Sequence, residues 1–372
     1  RVRGLPEFGG ELPVAVLAEE IDTPGEGQLR ALVTSSGNPV LSTPNGGRLD
    51  RALAGLEFMA SIDICVNETT RHAHVILPPT GPLERDHYDA VFHTLAIRNT
   101  ARFSQAVFPK PEGALHDHEI FAALTERLRA RRGVFAAIGA RAERVALERL
   151  GPRGLVDLGL RAGPYGGKLA AWRGLSLKAL LDAPHGVDLG ALEPRLPGAL
   201  HTRDKKIHLA PDVFLADVPR LLRSLDEAPG DARALVLIGR RELRSNNSWM
   251  HNSPLLVKGP RRCTLKMHPS DAAARGLASG DRARVASRAG SVDAAIDVSD
   301  EMMPGVVSLP HGYGHDRPGV RLSVASAHAG VSLNDLTDEQ RVDELTANAD
   351  FGVTVSVERA DASATTSAPA DA

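Results

Sequence analysis

Residues 238–252 read IGRRELRSNNSWMHN and follow the apolar run ALVLI. Three Arg, three Asn, two Ser, one Trp and one His fall within fifteen residues. An apolar core has no use for that mixture, and an ordinary solvated turn does not need it. On the residues alone two readings stay open: a surface loop stabilised by its own amides, or a loop that holds a polar ligand. Two further segments place polar groups where a ligand could bind. Gly37, Asn38 and Pro39 follow the strand-like run LRALVTSS. They are turn formers, and they can also offer backbone N–H groups and an amide to a phosphate or nucleotide. Asp63 ends the apolar run FMASID, ahead of CVNETTRHA. It reads either as part of a helix cap, a role Thr69 or Thr70 would also fill, or as a carboxylate accepting two parallel N–H bonds, such as guanine presents.

Other chemistries are disfavoured. His72 and His74, His116 and His118, and His311 and His315 are close pairs, but fourteen histidines make such pairs expected by chance. On a strand, His72 and His74 would share a face. No HExxH or Cys/His spacing accompanies them, which argues against a simple zinc site. GxSxG, Walker A and GxGxxG are absent, which disfavours an ordinary hydrolase or NAD enzyme. Cys65, read within a strand, and Cys263, near the start of another, are too few for a disulfide framework or an all-cysteine iron–sulfur cluster. The formal charge of −2 offers no basic field for nucleic acid or an anionic membrane. No apolar run approaches the roughly 18 residues of a membrane span.

The elements that must carry these residues fall in two styles. In the first hundred residues strand signals alternate with a helix: LRALVTSS, then GRLDRALAGL with Leu49, Ala52, Leu53 and Leu56 at helical spacing, then EFMASIDICV and HVILPP. That order implies parallel strands in an open α/β sheet, whose ligands sit at the strands' carboxyl ends. Residues 116–133 predict an amphipathic helix with Ile120, Phe121, Leu124 and Leu128 on one face, and 150–200 a Gly- and Pro-rich connection with short helical pieces such as LKALLDA. From about 232, six strand-like runs separated by Gly, Asp and Pro predict a mostly β domain closed as a barrel. One short helix, PSDAAARG, interrupts them.

In order, these segments resemble the molybdopterin-guanine-dinucleotide oxidoreductases, the family of formate dehydrogenases, nitrate reductases and dimethyl sulfoxide reductase. SSGNPVLSTPNGGRLDRALAGLEFMASIDICVNETTRHAHVILPPTGPLERD is similar to the family's second nucleotide-binding α/β half, and ARFSQAVFPKPEGALHDHEIFAALTERL to the segment after it. KMHPSDAAARGLASGDRARVASRAGSV and PGVVSLPHGYGH, with GVSLNDLTD, resemble its C-terminal dinucleotide-binding barrel. The resemblance implies a partial α/β half-domain over 1–135, a helical or irregular connection over 136–231, a double-psi-type barrel over 232–358 and a disordered tail over 359–372. It implies two molybdopterin guanine dinucleotides chelating molybdenum or tungsten. A 4Fe-4S cluster is implied only if an upstream part carries its cysteines, since neither Cys65 nor Cys263 matches a ligand position. The loop carrying Gly239 and Arg240 would then wrap pterin and pyrophosphate. In that setting Arg240 would neutralise the diphosphate, the amides of Asn246 and Asn247 would bond the pterin, Ser248 would belong to the same cofactor-binding set, and Trp249 and His251 would pack beside or hydrogen-bond the ring system. Glu84, Asp117, His311 and Asn334 join the implied cofactor-binding set with Gly37, Asn38, Pro39 and Asp63. The implied whole is a cytoplasmic formate-dehydrogenase-like enzyme of which this chain is the C-terminal portion, inactive alone. Its partners would be a small-molecule substrate, the rest of the subunit and an electron carrier. The alternatives are a non-catalytic structural subunit related to the large iron–sulfur subunit of respiratory complex I, and a stand-alone cofactor carrier.

Overall fold

The computed structural model describes residues 1–167, 174–226, 234–349 and 352–360. The low-complexity stretch 361–372, read as a disordered tail, lies outside the described residues. The chain divides into two compact units, one formed by residues 1–77 with 227–372 and the other by 78–226. This division runs through the 1–135 span rather than at its end.

In the first unit, β1 (Ala31–Ser35), β2 (Phe58–Ile62) and β3 (Val75–Ile76) form a sheet in that order, all parallel. Ala31 pairs with Phe58 and Ser35 with Ile62, so the ends of β1 and β2 lie side by side. Parallel strands need a long crossover. It contains α1 (Gly46–Ala54), whose first turn is capped by Asn45 accepting the Arg48 N–H. Leu49, Ala52 and Leu53 recur at helical spacing and bury against Met59 of β2 and Val40.

The same unit contains the barrel. Its strands are β4 (Leu235–Arg240), β5 (Thr264–Met267), β6 (Arg282–Ala286), β7 (Ser291–Val298), β8 (Val306–Pro310) and β9 (Val353–Arg359). They close in the order β6-β7-β5-β8-β4-β9. The pairs β7–β5 and β8–β4 are parallel and the other four antiparallel. Each strand sends alternate residues inward: Leu235 and Leu237, Leu265 and Met267, Ala294 and Ile296, Val353, Val355 and Val357. Closure removes exposed edges. All six expected strands, their closure and the short helix Pro269–Ala274 are present.

The second unit is mostly helical. The helix expected over 116–133 is α2 (Asp117–Ala130), started by a capping box in which Glu119 takes the His116 N–H at 2.7 Å. Of its expected apolar face only Ile120 is buried, while Phe121 and Leu128 are exposed. Gly133 was rightly placed as a break, yet a 29-residue helix, α3 (Val134–Ala162), follows it. This corrects the irregular reading beyond 150: Gly151 is non-helical (φ 62°, ψ 170°) and Pro152 follows it, so the helix kinks there instead of ending. Leu160 of α3 packs with Phe103, Leu177 and Leu180.

Candidate functional site: an arginine-lined cavity beside a buried histidine

The loop after β4, the turn before β5 and residues 327–331 surround a cavity of about 640 Å³. That lies within the range of ligand pockets. Arg244, Arg261, Arg262 and Arg282 line it, with Glu242 and Asp293. Both carboxylates are engaged elsewhere, Glu242 with Arg240 at 3.1 Å and Asp293 with Arg284 at 3.0 Å. None of the four lining arginines has a carboxylate partner among the described residues. Arg262 bonds the carbonyls of Leu256 and Lys258, at 3.3 and 2.9 Å, and Arg282 that of Asp293, at 3.1 Å. Four guanidinium groups without counter-ions make the walls a positive concavity suited to a multiply charged anion.

His251 also lines this cavity and is only 4% exposed. Its Nδ1 lies 2.8 Å from His315 Nε2, and its ring packs on Tyr313 at 4.2 Å between centroids. His315 Nδ1 lies 2.8 Å from Glu68 Oε1. Glu68, wholly buried, takes the Asn38 amide N–H on Oε2 at 2.7 Å. Asn38 is oriented in turn, because Thr69 Oγ1 accepts the Val40 N–H at 3.1 Å and so donates its own proton to Asn38 Oδ1, at 2.8 Å. The row ends at His251 Nε2, a buried nitrogen with no partner. Such a group costs free energy unless a ligand or water completes it. Burial, and then neighbouring His315, push His251 down to about 4, so it is uncharged at neutral pH. Burial pushes the Glu68 carboxyl up, but the bonds from His315 and Asn38 outweigh this and hold it below the usual range.

The residues expected to bind a cofactor are distributed as follows. Asn38 and His251 belong to the row just described. Gly37 and Pro39 flank Asn38, with Pro39 opening the short helix Pro39–Ser42. The Arg240 guanidinium does not face an open space. It donates to Ser308 O at 2.6 Å, to Arg262 O and Thr264 O at 2.9 Å each, and to Glu242, and so clips the loop to the barrel. A side chain on Gly239 would meet Leu333 at 2.9 Å. Asn246 and Asn247 adopt left-handed backbones (φ 42° and 59°), which Asn tolerates. Asn247 Oδ1 accepts from Arg241, and Trp249 is 53% exposed. A Cβ on Gly312 would fall 2.1 Å from Asn247 O, so the loop seats closely over a glycine with φ +92°. Ser248 sits at the same contact. His311 is half-buried and donates its N–H to Arg240 O at 3.0 Å. Asn334 is buried and donates to Leu41 O at 2.7 Å. Asp63 follows β2, where one oxygen accepts the Cys65 N–H at 3.0 Å and the other the Asn67 amide at 3.2 Å. Burial raises its carboxyl. Glu84 and Asp117 belong to the second unit, where Glu84 accepts the Gly81 N–H at 2.8 Å and Asp117 pairs with Arg85.

Three smaller readings change. His72 and His74 do not share a strand: His72 ends the turn Thr70–His72 and bonds Asp50 at 2.6 Å, and His74 accepts the Met59 N–H at 3.0 Å. Cys65 lies in the loop after β2 rather than in a strand. The cap after that strand is Asn67, whose Oδ1 accepts from Thr69 and Thr70. Cys263 lines the cavity as a neutral thiol, pushed up to about 11 mainly by burial. Among the described residues no group of three or more His, Cys, Asp or Glu is arranged to hold a metal.

Sequence reasoning did not single out Glu68, Arg261, Arg262 or Arg282. The pair Arg261–Arg262 after Gly259-Pro260 was a visible signal, because two adjacent cations in a turn favour an anion.

The architecture is thus a closed barrel whose loops line a cationic cavity. Residues 235–355 match the model of the molydopterin dinucleotide binding domain. The chain is 24% identical to dimethyl sulfoxide/trimethylamine N-oxide reductase of Rhodobacter capsulatus over 369 residues, covering 86% of this chain and 42% of that protein. It is 26% identical to the F420-dependent formate dehydrogenase subunit alpha of Methanocaldococcus jannaschii over 318 residues, covering 83% and 42%. Acetylene hydratase from Pelobacter acetylenicus shares the fold, with a TM-score of 0.66 at 15% identity over 94% of this chain and 46% of that one. The barrel is thus similar to the molydopterin dinucleotide binding domain, and most of the chain is similar to part of a dimethyl sulfoxide/trimethylamine N-oxide reductase and of a formate dehydrogenase subunit. It spans less than half the length of these relatives. No described helix is long and apolar enough to cross a membrane.

Proposed function

We propose that this chain forms the dinucleotide-holding portion of a formate-dehydrogenase-like oxidoreductase that uses molybdenum or tungsten chelated by two molybdopterin guanine dinucleotides. The observation that supports it most is the cavity on the family-matched barrel, with four arginines lacking counter-ions and an unpartnered His251 Nε2. These features fit a pterin dinucleotide. Arg244, Arg261, Arg262 and Arg282 would hold its phosphates, and His251 would complete a hydrogen bond to it. Asp63 keeps free lone pairs on both oxygens and stands at a strand's carboxyl end, where it would accept guanine N–H groups. When bound, the metal–pterin group supplies two-electron redox chemistry. The substrate, the electron carrier and the remainder of the subunit act around it. The rival, a structural subunit without pterin, would have no use for a cationic cavity that its own carboxylates leave unneutralised. The fold alone does not settle the reaction, since a hydratase shares it.

The test is calorimetric titration of the 372-residue chain with inorganic pyrophosphate. Saturable binding that falls at least tenfold when Arg261 and Arg262 are both replaced by Ala is expected. Absence of binding, or binding indifferent to those arginines, would overturn the reading of the cavity.

A further inference from the structure

The row Asn38–Glu68–His315–His251 has a direction that its partners impose. The hydroxyl of Thr69 has one proton and, having accepted from Val40, gives it to Asn38 Oδ1. Asn38 therefore turns its NH₂ toward Glu68. One Glu68 oxygen is thus committed as an acceptor, and only the contact between Oε1 and His315 Nδ1 can hold a mobile proton. Glu68 is wholly buried and His315 is 1% exposed. A net negative charge is costly there, so the pair holds enough protons to be neutral overall. That condition decides the rest. If the shared proton sits on His315, the ring is an imidazolium and carries Nε2–H. If it sits on Glu68, the carboxylic acid donates to Nδ1, and the neutral ring again carries Nε2–H. Either way His315 donates to His251 Nδ1 at 2.8 Å. His251, uncharged, then has its proton on Nε2, a buried nitrogen without a partner, in a residue that lines the cavity.

We propose that Glu68 and His315 are positioning residues that lock His251 as a donor at Nε2, so that this N–H bonds an acceptor oxygen of the anion bound among the four arginines. The proposal rests on reading the cavity as a phosphate site. It adds a specificity element that guanidinium groups do not supply: one neutral donor, fixed in direction by a network rooted some 180 positions away at Glu68, in the loop after β2.

The experiment is nitrogen-15 NMR of the histidine side chains in the full 372-residue chain, with and without pyrophosphate. In the unaltered protein His251 should show a protonated, pyrrole-type Nε2 and a bare Nδ1, and Nε2 should shift when pyrophosphate binds. In Glu68→Gln the amide faces its NH₂ toward His315, because Asn38 already occupies the other side as a donor. His315 should then have a bare Nδ1, while His251 keeps its Nε2 proton and pyrophosphate affinity stays within about threefold. His251→Phe keeps the ring against Tyr313 but deletes the donor, and affinity should fall about tenfold. A bare Nε2 on His251 in the unaltered protein would overturn the proposal, with no variant needed. So would an unchanged affinity in a His251→Phe protein that melts cooperatively. If the double arginine variant loses binding while His251→Phe does not, this inference fails and the cavity reading stands. If pyrophosphate binds nowhere, both fail.

Discussion

Asp50 and Glu68 are two carboxylates of the same unit, and their surroundings differ in one respect. Asp50 is ringed by two arginines and an imidazole: Arg71 at 2.5 Å, His72 at 2.6 Å and Arg317 at 3.1 Å. Arg317 continues to Asp335 at 2.7 Å, and Arg71 to the Pro318 carbonyl at 2.9 Å. Every charged group in that set ends on another member or on backbone. Burial alone would raise Asp50, but the bond from His72 and the charges of Arg317 and Arg71 outweigh it and bring the carboxyl down to about 2. Glu68 has one amide and one imidazole, and its row runs out at a nitrogen that nothing completes. A closed network of this kind is a latch, here tying α1 to residues 317–335. An unfinished one marks where a second molecule is expected.

The comparison breaks or sharpens under four substitutions or measurements. Asp50→Ala removes the carboxylate that Arg71, His72 and Arg317 share and should cost about 3–5 kcal/mol in urea unfolding, with pyrophosphate affinity unchanged. The sign of its pH dependence follows from a folded value near 2, below the ordinary 3.8. The stabilisation is present above about pH 4 and is lost as pH falls toward 2. Between those values the unaltered protein should lose stability that the variant never had, and parallel acid titrations would refute the latch. Asp63→Asn puts a donor where guanine presents donors and should cost roughly 1.5–3 kcal/mol of guanine-nucleotide binding. Comparing GDP with IDP isolates the exocyclic amine, and a preference for GDP that survives in the variant removes Asp63 from the site. Because burial raises Asp63, that binding should strengthen as pH rises through its titration. Backbone amides of 244–252 should exchange several-fold more slowly with pyrophosphate bound, since polar side chains such as those of Asn246 and Asn247 gain partners. Equal exchange would make the loop an ordinary structural feature. The smallest effect belongs to the exposed pair Arg30–Glu57, at 3.2 Å. Arg30→Ala should move stability by less than about 1 kcal/mol, and a change as large as that of Asp50→Ala would show that burial does not separate the two sets.

What the sequence disclosed follows the range of each signal. Strand alternation is local, and SVDAAIDVS alone puts Ala294 and Ile296 inward. The barrel was therefore legible strand by strand. The α3 helix was not, because its apolar residues do not gather on one side and Gly151-Pro152 reads as a stop. At the site, motif reasoning found the right loop and assigned Arg240 to a ligand, whereas its guanidinium is spent on Ser308, Arg262 and Thr264 carbonyls. A carbonyl cage leaves no trace in sequence. Glu68, standing between Asn67 and Thr69, drew no reading of its own. Its true partner, His315, stands 247 positions on. A pairing across that separation is set by the fold and cannot be read from spacing.

The interrupted unit has a history on the ribosome. Residues 1–77 are followed by roughly 150 residues of another unit before their partners are made. Asn45 meets Glu339 across 294 positions, and Asn334 meets Leu41 across 293. At about 5–20 residues per second, β1 to β3 emerge about ten to thirty seconds or more before the barrel strands. Through that interval the three-stranded sheet, whose two edges take no barrel strand, has its own apolar core from Ala18 to Met59 but lacks the contacts that Asn334 and Glu339 later supply. Contacts this distant also slow the final closure. The nascent segment is consequently a client for any factor that shields strand edges, and its yield in a cell should depend on translation speed through residues 78–226 more than on codons in the barrel itself.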